Sequence, residues 1–177
     1  MITFDNDAAY AVAANTGAFV AAVWDVTTRR IPNALVLTLF VTGLGLHLAL
    51  DGWRNAGWAV LSGLLAGAVF FVFFCAGGMG GGDVKLMAAV ATLYGFTHMP
   101  YLLVLTSLAG GAMALMLALW HGRLKETVGN MGTIAAHHGR HGIAEHETLN
   151  VRNPSSLRLP YGLAIAAGCL LVAAGRI

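Results

Sequence analysis

The chain carries five runs of 17 to 20 residues that are apolar almost throughout: Ala8 to Trp24, Ala34 to Leu50, Gly57 to Cys75, Tyr101 to Trp120 and Leu159 to Gly175. At about 1.5 Å per residue, each approaches the roughly 30 Å of a bilayer's hydrocarbon core. A segment in lipid must satisfy its own backbone hydrogen bonds, so runs of this length are expected to be helices. With 58% hydrophobic and 10% charged residues and a mean hydropathy of +0.73, the chain is too apolar for a water-soluble domain. A sixth run, Val84 to Tyr94, has only 11 residues and reaches about 17 Å, so it either ends at mid-membrane or borrows length from its flanks. The expected fold is all-α, a polytopic membrane bundle of about six transmembrane helices forming one domain over residues 1–177. The boundary at Gly95 to Pro100 divides the fourth and fifth of these.

Charge orients the bundle. With six crossings, Arg29, Arg30, Lys85, Arg123, Lys125, Arg140, Arg152 and Arg158 fall on one side, and only Arg54 and Arg176 on the other. The positive-inside rule then makes both termini extracytoplasmic and the polar loop at about 121–158 cytoplasmic. The opening residues Met1 to Asp7 are acidic where a signal peptide needs basic ones, so the first run is expected to remain as a helix. Small residues recur at helical spacing as Ala14, Ala18 and Ala22, as Gly63 and Gly67, and as Gly110, Ala114 and Ala118, which marks close packing faces. The long loop holds His121, His137, His138, His141 and His146, yet Gly139 and Gly142 interrupt any helical ligand spacing and fix no second pair. Cys75 and Cys169 stand alone in apolar runs and read as packing residues. No metal, cofactor or nucleic-acid partner is expected, and nothing in the pattern sets an oligomeric state.

The unusual stretch is Gly77-Gly78-Met79-Gly80-Gly81-Gly82-Asp83-Val84-Lys85. A charge at mid-bilayer costs roughly 2.5 to 3.5 kcal/mol on insertion scales, and glycines weaken a helix, so a carboxylate behind five glycines is costly among apolar segments. Of the eight acidic residues, only Asp25 and Asp83 lie at the cytoplasmic ends of apolar runs, on one side and at similar depth. Two carboxylates meeting in a partly desolvated site tend to share one proton. Such a pair suits peptide hydrolysis: the ionised one draws a proton from water while the protonated one donates to the carbonyl oxygen. Glycines beside Asp83 admit an extended substrate backbone. Each aspartate also has a local explanation, Asp25 capping the turn before Ile31-Pro32 and Asp83 as the N-cap of a helix starting at Val84. The same two residues would also serve an ion- or proton-coupled transporter, against which stands the lack of an inverted repeat.

Three motifs resemble those of the type IV prepilin peptidases, bacterial aspartic proteases of the inner membrane. Gly80-Gly81-Gly82-Asp83-Val84-Lys85-Leu86 is similar to that family's GxGDxKL signature. Asp25 followed by Ile31-Pro32-Asn33 resembles its first-aspartate motif, and Pro160-Tyr161-Gly162 resembles a segment of its last membrane helix. The resemblance implies that Asp25 and Asp83 are catalytic and cut the short basic leader from prepilin or pseudopilin precursors at the cytoplasmic membrane face. It gives Gly80, Gly82, Lys85, Ile31, Pro32, Asn33, Pro160, Tyr161 and Gly162 supporting roles, with Lys85 directed either at the aspartates or at membrane lipid. The compact form resembles the short Flp or Tad pilus peptidases, without a cysteine-rich methyltransferase region.

Overall fold

The structure is a computed structural model that describes residues 6–127, 129–130, 133 and 159–175. Among the described residues the helices with full bounds are α1 (Asn6–Thr28), α2 (Asn33–Leu50), α3 (Trp53–Cys75), α4 (Gly81–Trp120) and α5 (Tyr161–Gly175), and residues 124–127 are helical as well. Among the described residues there is no strand, as the apolar runs require. The first four helices are long and apolar enough to cross a membrane, and α5 is a shorter apolar helix. Large side chains such as Phe19, Leu64, Leu108 and Met116 point outward. In water such a surface would be a liability, so the chain is a multi-pass membrane protein whose outer face meets lipid.

A straight α4 of 40 residues would measure about 60 Å, twice the hydrocarbon thickness. It is not straight. Gly95 has φ 72° and ψ −179°, a conformation open essentially only to glycine, and the helix doubles back there. The expected boundary at Gly95 to Pro100 is therefore a break at Gly95 alone, with Pro100 inside the second arm. Carbonyls freed by the break find partners in neighbouring helices: the Ser62 hydroxyl lies 2.8 Å from Ala91 O and 3.1 Å from Gly95 O. The His47 ring reaches the Leu93 carbonyl at 3.2 Å. Lipid supplies no hydrogen bonds at this depth, so such side chains are what make the break tolerable.

The first arm of α4, residues 81–94, is the core of the bundle rather than a short lipid-facing span. Leu86, Met87, Val90, Ala91, Thr92 and Leu93 are all fully buried, with α1, α2, α3 and α5 packed around α4. A helix apolar all round and enclosed by others need not match the bilayer thickness, which resolves the shortness of Val84 to Tyr94. The small-residue faces explain the close approach. Ala14, Ala18 and Ala22 are buried, and a Cβ on Gly63 would lie 2.2 Å from Thr92 Oγ1 and 2.7 Å from Ala88 O. Gly110 and Ala118 are likewise buried, whereas Ala114 is exposed on a cavity wall.

The two ends of the bundle differ in character. At one end, the start of α1, the end of α2, the start of α3 and the α4 break surround a cavity of about 450 Å³ lined by Tyr10, His47, Asp51, Trp58 and His98. There Tyr10 donates to Asp51 Oδ2 at 2.6 Å and Asn6 donates to Oδ1 at 3.0 Å. At the other end lie the close of α1, the α3–α4 junction, the second arm of α4 and the start of α5. The described residues thus pass between the ends six times, the two arms of α4 counting separately. Most of the loop at 121–158, with His137, His138, His141 and His146, lies outside the described residues.

Candidate active site

The glycine run is divided between two helices. Gly77, at φ 75°, and Gly78 close α3, their N–H groups donating to Phe74 O at 3.0 Å and Phe73 O at 2.9 Å in a Schellman arrangement. Met79 tucks inward, only 7% exposed. Gly80, extended at φ −84° and ψ 152°, is the N-cap of α4, and Gly81 and Gly82 are already helical. This corrects the expectation that Asp83 caps a helix starting at Val84. Asp83 is the third helical residue, and its Oδ2 accepts from the Gly80 N–H at 3.1 Å. That bond fixes the carboxylate at the helix N-terminus, where free N–H groups favour negative charge.

Asp25 lies in the last turn and a half of α1 and is 8% exposed. Its Oδ2 accepts from the Gly162 N–H at 3.0 Å, a bond across 137 positions of sequence that joins α1 to the start of α5. Space there is tight: a Cβ at 162 would lie 3.1 Å from Asp25 Cβ, 3.2 Å from its Oδ2 and 3.3 Å from Ala22 Cα. The helix ends immediately after, at Arg29, which takes the left-handed conformation at φ 55°. Asp25 and Asp83 line one cavity of about 360 Å³, close enough for their charges to interact. The second oxygen of each carboxylate has no hydrogen-bond partner among the described residues.

The supporting residues sort into two groups. Gly80, Pro160 and Tyr161 line the cavity with the aspartates, and Gly162 holds Asp25 from behind. Ile31, Pro32, Asn33, Gly82 and Lys85 stand apart from it as a brace between α2 and α4. Pro32 is the N-cap of α2, and a Cβ on Gly82 would rest 3.4 Å from Ile31 Cβ. Lys85 Nζ donates to Asn33 Oδ1 at 3.1 Å, tying two of the three sequence motifs together. The cavity also takes in Gly78 and Met79 from the glycine run, Gly110 and Ala114 from a face read as packing, and Arg29 and Leu159. Arg29 had a signal available, its position one helical turn after Asp25, but charge counting used it only for topology. Among the described residues, no three His, Cys, Asp or Glu side chains gather where they would hold a metal.

The arrangement places two carboxylates, from helices far apart in sequence, on the wall of one cavity at one end of a lipid-facing bundle. Known proteins carry related sequences. Prepilin leader peptidase/N-methyltransferases of Neisseria gonorrhoeae, Burkholderia pseudomallei (strain 1026b) and Aeromonas hydrophila are 32%, 31% and 33% identical over 107, 111 and 102 residues. These alignments cover 56%, 57% and 54% of this chain and 37%, 34% and 35% of the relatives, so the chain matches about a third of their length. No solved structure matches it. The model of the type IV leader peptidase family matches residues 13–115, more than half of the chain, including both aspartates but stopping short of Pro160 to Gly162. On that match, the chain belongs to the type IV leader peptidase family.

Proposed function

We propose that the protein is a membrane-embedded aspartic endopeptidase that removes the short basic leader from prepilin-like precursors, with Asp25 and Asp83 as the catalytic pair. The observation that carries this reading is the meeting of the two carboxylates in one cavity, each tied by one oxygen to a backbone N–H. The ionised carboxylate takes a proton from water as the water oxygen attacks the scissile carbonyl carbon. The protonated one donates to the carbonyl oxygen, and a proton then passes to the leaving amine as the C–N bond breaks. A cavity of about 360 Å³ has room for water and a stretch of extended peptide. The relatives' names supply the leader-peptidase activity, and their N-methyltransferase activity is not carried over.

Arg29, Arg30 and Lys85 lie at the aspartate end of the bundle and Arg54 lies at the opposite end, which supports a cytoplasmic active site in a bacterial inner membrane. Both termini of a six-span bundle would then be extracytoplasmic. The test is co-expression with a prepilin precursor, read as the mobility shift of leader removal. Asp25→Asn and Asp83→Asn are each expected to abolish processing while still inserting in the membrane, and full processing by either variant would refute the assignment. Asp83-dependent ion flux in proteoliposomes without cleavage would instead favour coupled transport.

A further inference from the structure

Tyr161 has a feature that packing leaves unexplained. Its ring is set edge-on against the buried Phe70, with centroids 5.8 Å apart and planes at 76°. On its other side the ring lies over Gly110, where a Cβ would stand 2.8 Å from the hydroxyl and 3.0 Å from Cζ. These contacts hold the ring on the cavity wall. The side chain is half-buried, and a tyrosine hydroxyl at the wall of an apolar bundle usually finds a hydrogen-bond partner. Tyr94 shows the usual case here, its hydroxyl donating to Cys169 O at 2.8 Å and accepting from Asn15 at 3.1 Å. The Tyr161 hydroxyl makes no hydrogen bond among the described residues, although the side chain lines the cavity that holds Asp25 and Asp83. The next residue, Gly162, holds Asp25 through its N–H. One turn of α5 therefore positions both a carboxylate and a neutral donor that has no partner among the described residues.

We infer that the Tyr161 hydroxyl is a further catalytic group, donating a hydrogen bond to the scissile carbonyl oxygen of the substrate. The inference rests on the peptidase reading above. Peptide bonds resist attack because the carbonyl carbon is a weak electrophile, and a fixed donor on the oxygen strengthens in effect as negative charge builds there. The phenol keeps its proton throughout; water and the two aspartates make all the proton transfers. A donor held by Phe70 and Gly110 needs little reorganisation at the moment of reaction, which is the condition for a large effect.

The test uses the full chain in detergent micelles with a prepilin precursor that the wild type cuts. Tyr161→Phe keeps the ring against Phe70 and removes only the hydroxyl. It is expected to lower kcat about 100-fold with KM within about threefold and with the thermal midpoint unchanged. A peptide isostere with a hydroxyl in place of the scissile carbonyl is expected to bind Tyr161→Phe more weakly, while an uncut substrate analogue binds both alike. A kcat within twofold of wild type overturns the inference. So does a loss seen only in KM, or a loss that follows a lowered thermal midpoint, because each makes Tyr161 a binding or packing residue. The peptidase reading is judged separately: Asp83→Asn that still cuts removes that reading, whatever Tyr161→Phe does. A wild type that cuts no precursor removes both.

Discussion

Gly162→Ala is a demanding test of the site because it adds one methyl group behind Asp25 without touching either carboxylate. The new Cβ would sit 3.1 to 3.3 Å from Asp25 Cβ, Asp25 Oδ2 and Ala22 Cα, where ordinary contact needs 3.4 to 4 Å. The helices must part by a few tenths of an ångström. Overpacking of this kind costs about 1 to 3 kcal/mol, and the helix propensity of alanine over glycine returns up to about 1 kcal/mol, leaving a net loss of about 0 to 3 kcal/mol. The bundle should survive. The effect on chemistry is larger in proportion, since the methyl pushes on the same carboxylate that the Gly162 N–H positions at 3.0 Å. If a 1 Å misplacement costs about 100-fold, a shift of about 0.3 to 0.5 Å costs about 4- to 10-fold in kcat. Steady-state cleavage of a prepilin precursor, alongside a thermal melt, measures both quantities. Gly45→Ala is the control, because a Cβ there meets nothing within 4 Å; it should keep wild-type activity and gain up to about 1 kcal/mol. Wild-type kcat in Gly162→Ala, or an equal loss in Gly45→Ala, would refute the reasoning.

Two other expectations concern the opposite end of the bundle. Gly95→Ala is expected to destabilise by about 1 to 3 kcal/mol, measured by unfolding in mixed micelles, because φ 72° with ψ −179° strains any residue with a Cβ. Space is not the obstacle, the nearest atom being His47 Cε1 at 3.4 Å, so an unchanged midpoint would mean that the break can form without glycine. The Tyr10 hydroxyl, with Asn6 and His47 adding to it, holds Asp51 below the usual carboxylate range despite some desolvation. A carboxylate with a lowered folded-state value contributes stability above its unfolded value of about 3.9, and that contribution is lost as pH falls through the folded value. The melting difference between wild type and Asp51→Asn should therefore be constant above about pH 5 and close as the pH drops below about 4. A difference independent of pH would remove the ionised Asp51 from the account.

Much of the fold was legible because lipid imposes simple rules. Segments that must satisfy their own backbone in an apolar solvent announce themselves by length and hydropathy, and α2 and α3 lie within a few residues of the runs read from the sequence. Small residues at four-residue spacing predicted close faces for the same reason, since only a missing side chain lets backbones such as those at Gly63 and Ala88 approach. The sequence misjudged the segment from Val84 to Tyr94, whose shortness was measured against lipid when its surroundings are protein. Hydropathy does not distinguish burial in a bilayer from burial in a bundle.

The candidate site divides along a similar line. Composition and charge alone bring out Asp25 and Asp83 as the acidic residues that share a side and a depth, because ionisable groups beside apolar helices are costly enough to be rare. Sequence by itself also shows that five glycines within six residues weaken any helix running through them. What only the tertiary structure decided is how that run is shared, with Gly77 and Gly78 closing α3 and Gly80 opening α4. The same holds for the bond from Gly162 to Asp25 and for the phenol of Tyr161 beside the pair. Backbone hydrogen bonds across 137 positions leave no periodicity in a sequence, since they depend on where helices come to rest against one another. The identity of the two carboxylates is thus a local property of the chain, while their partnership is a property of the packed bundle.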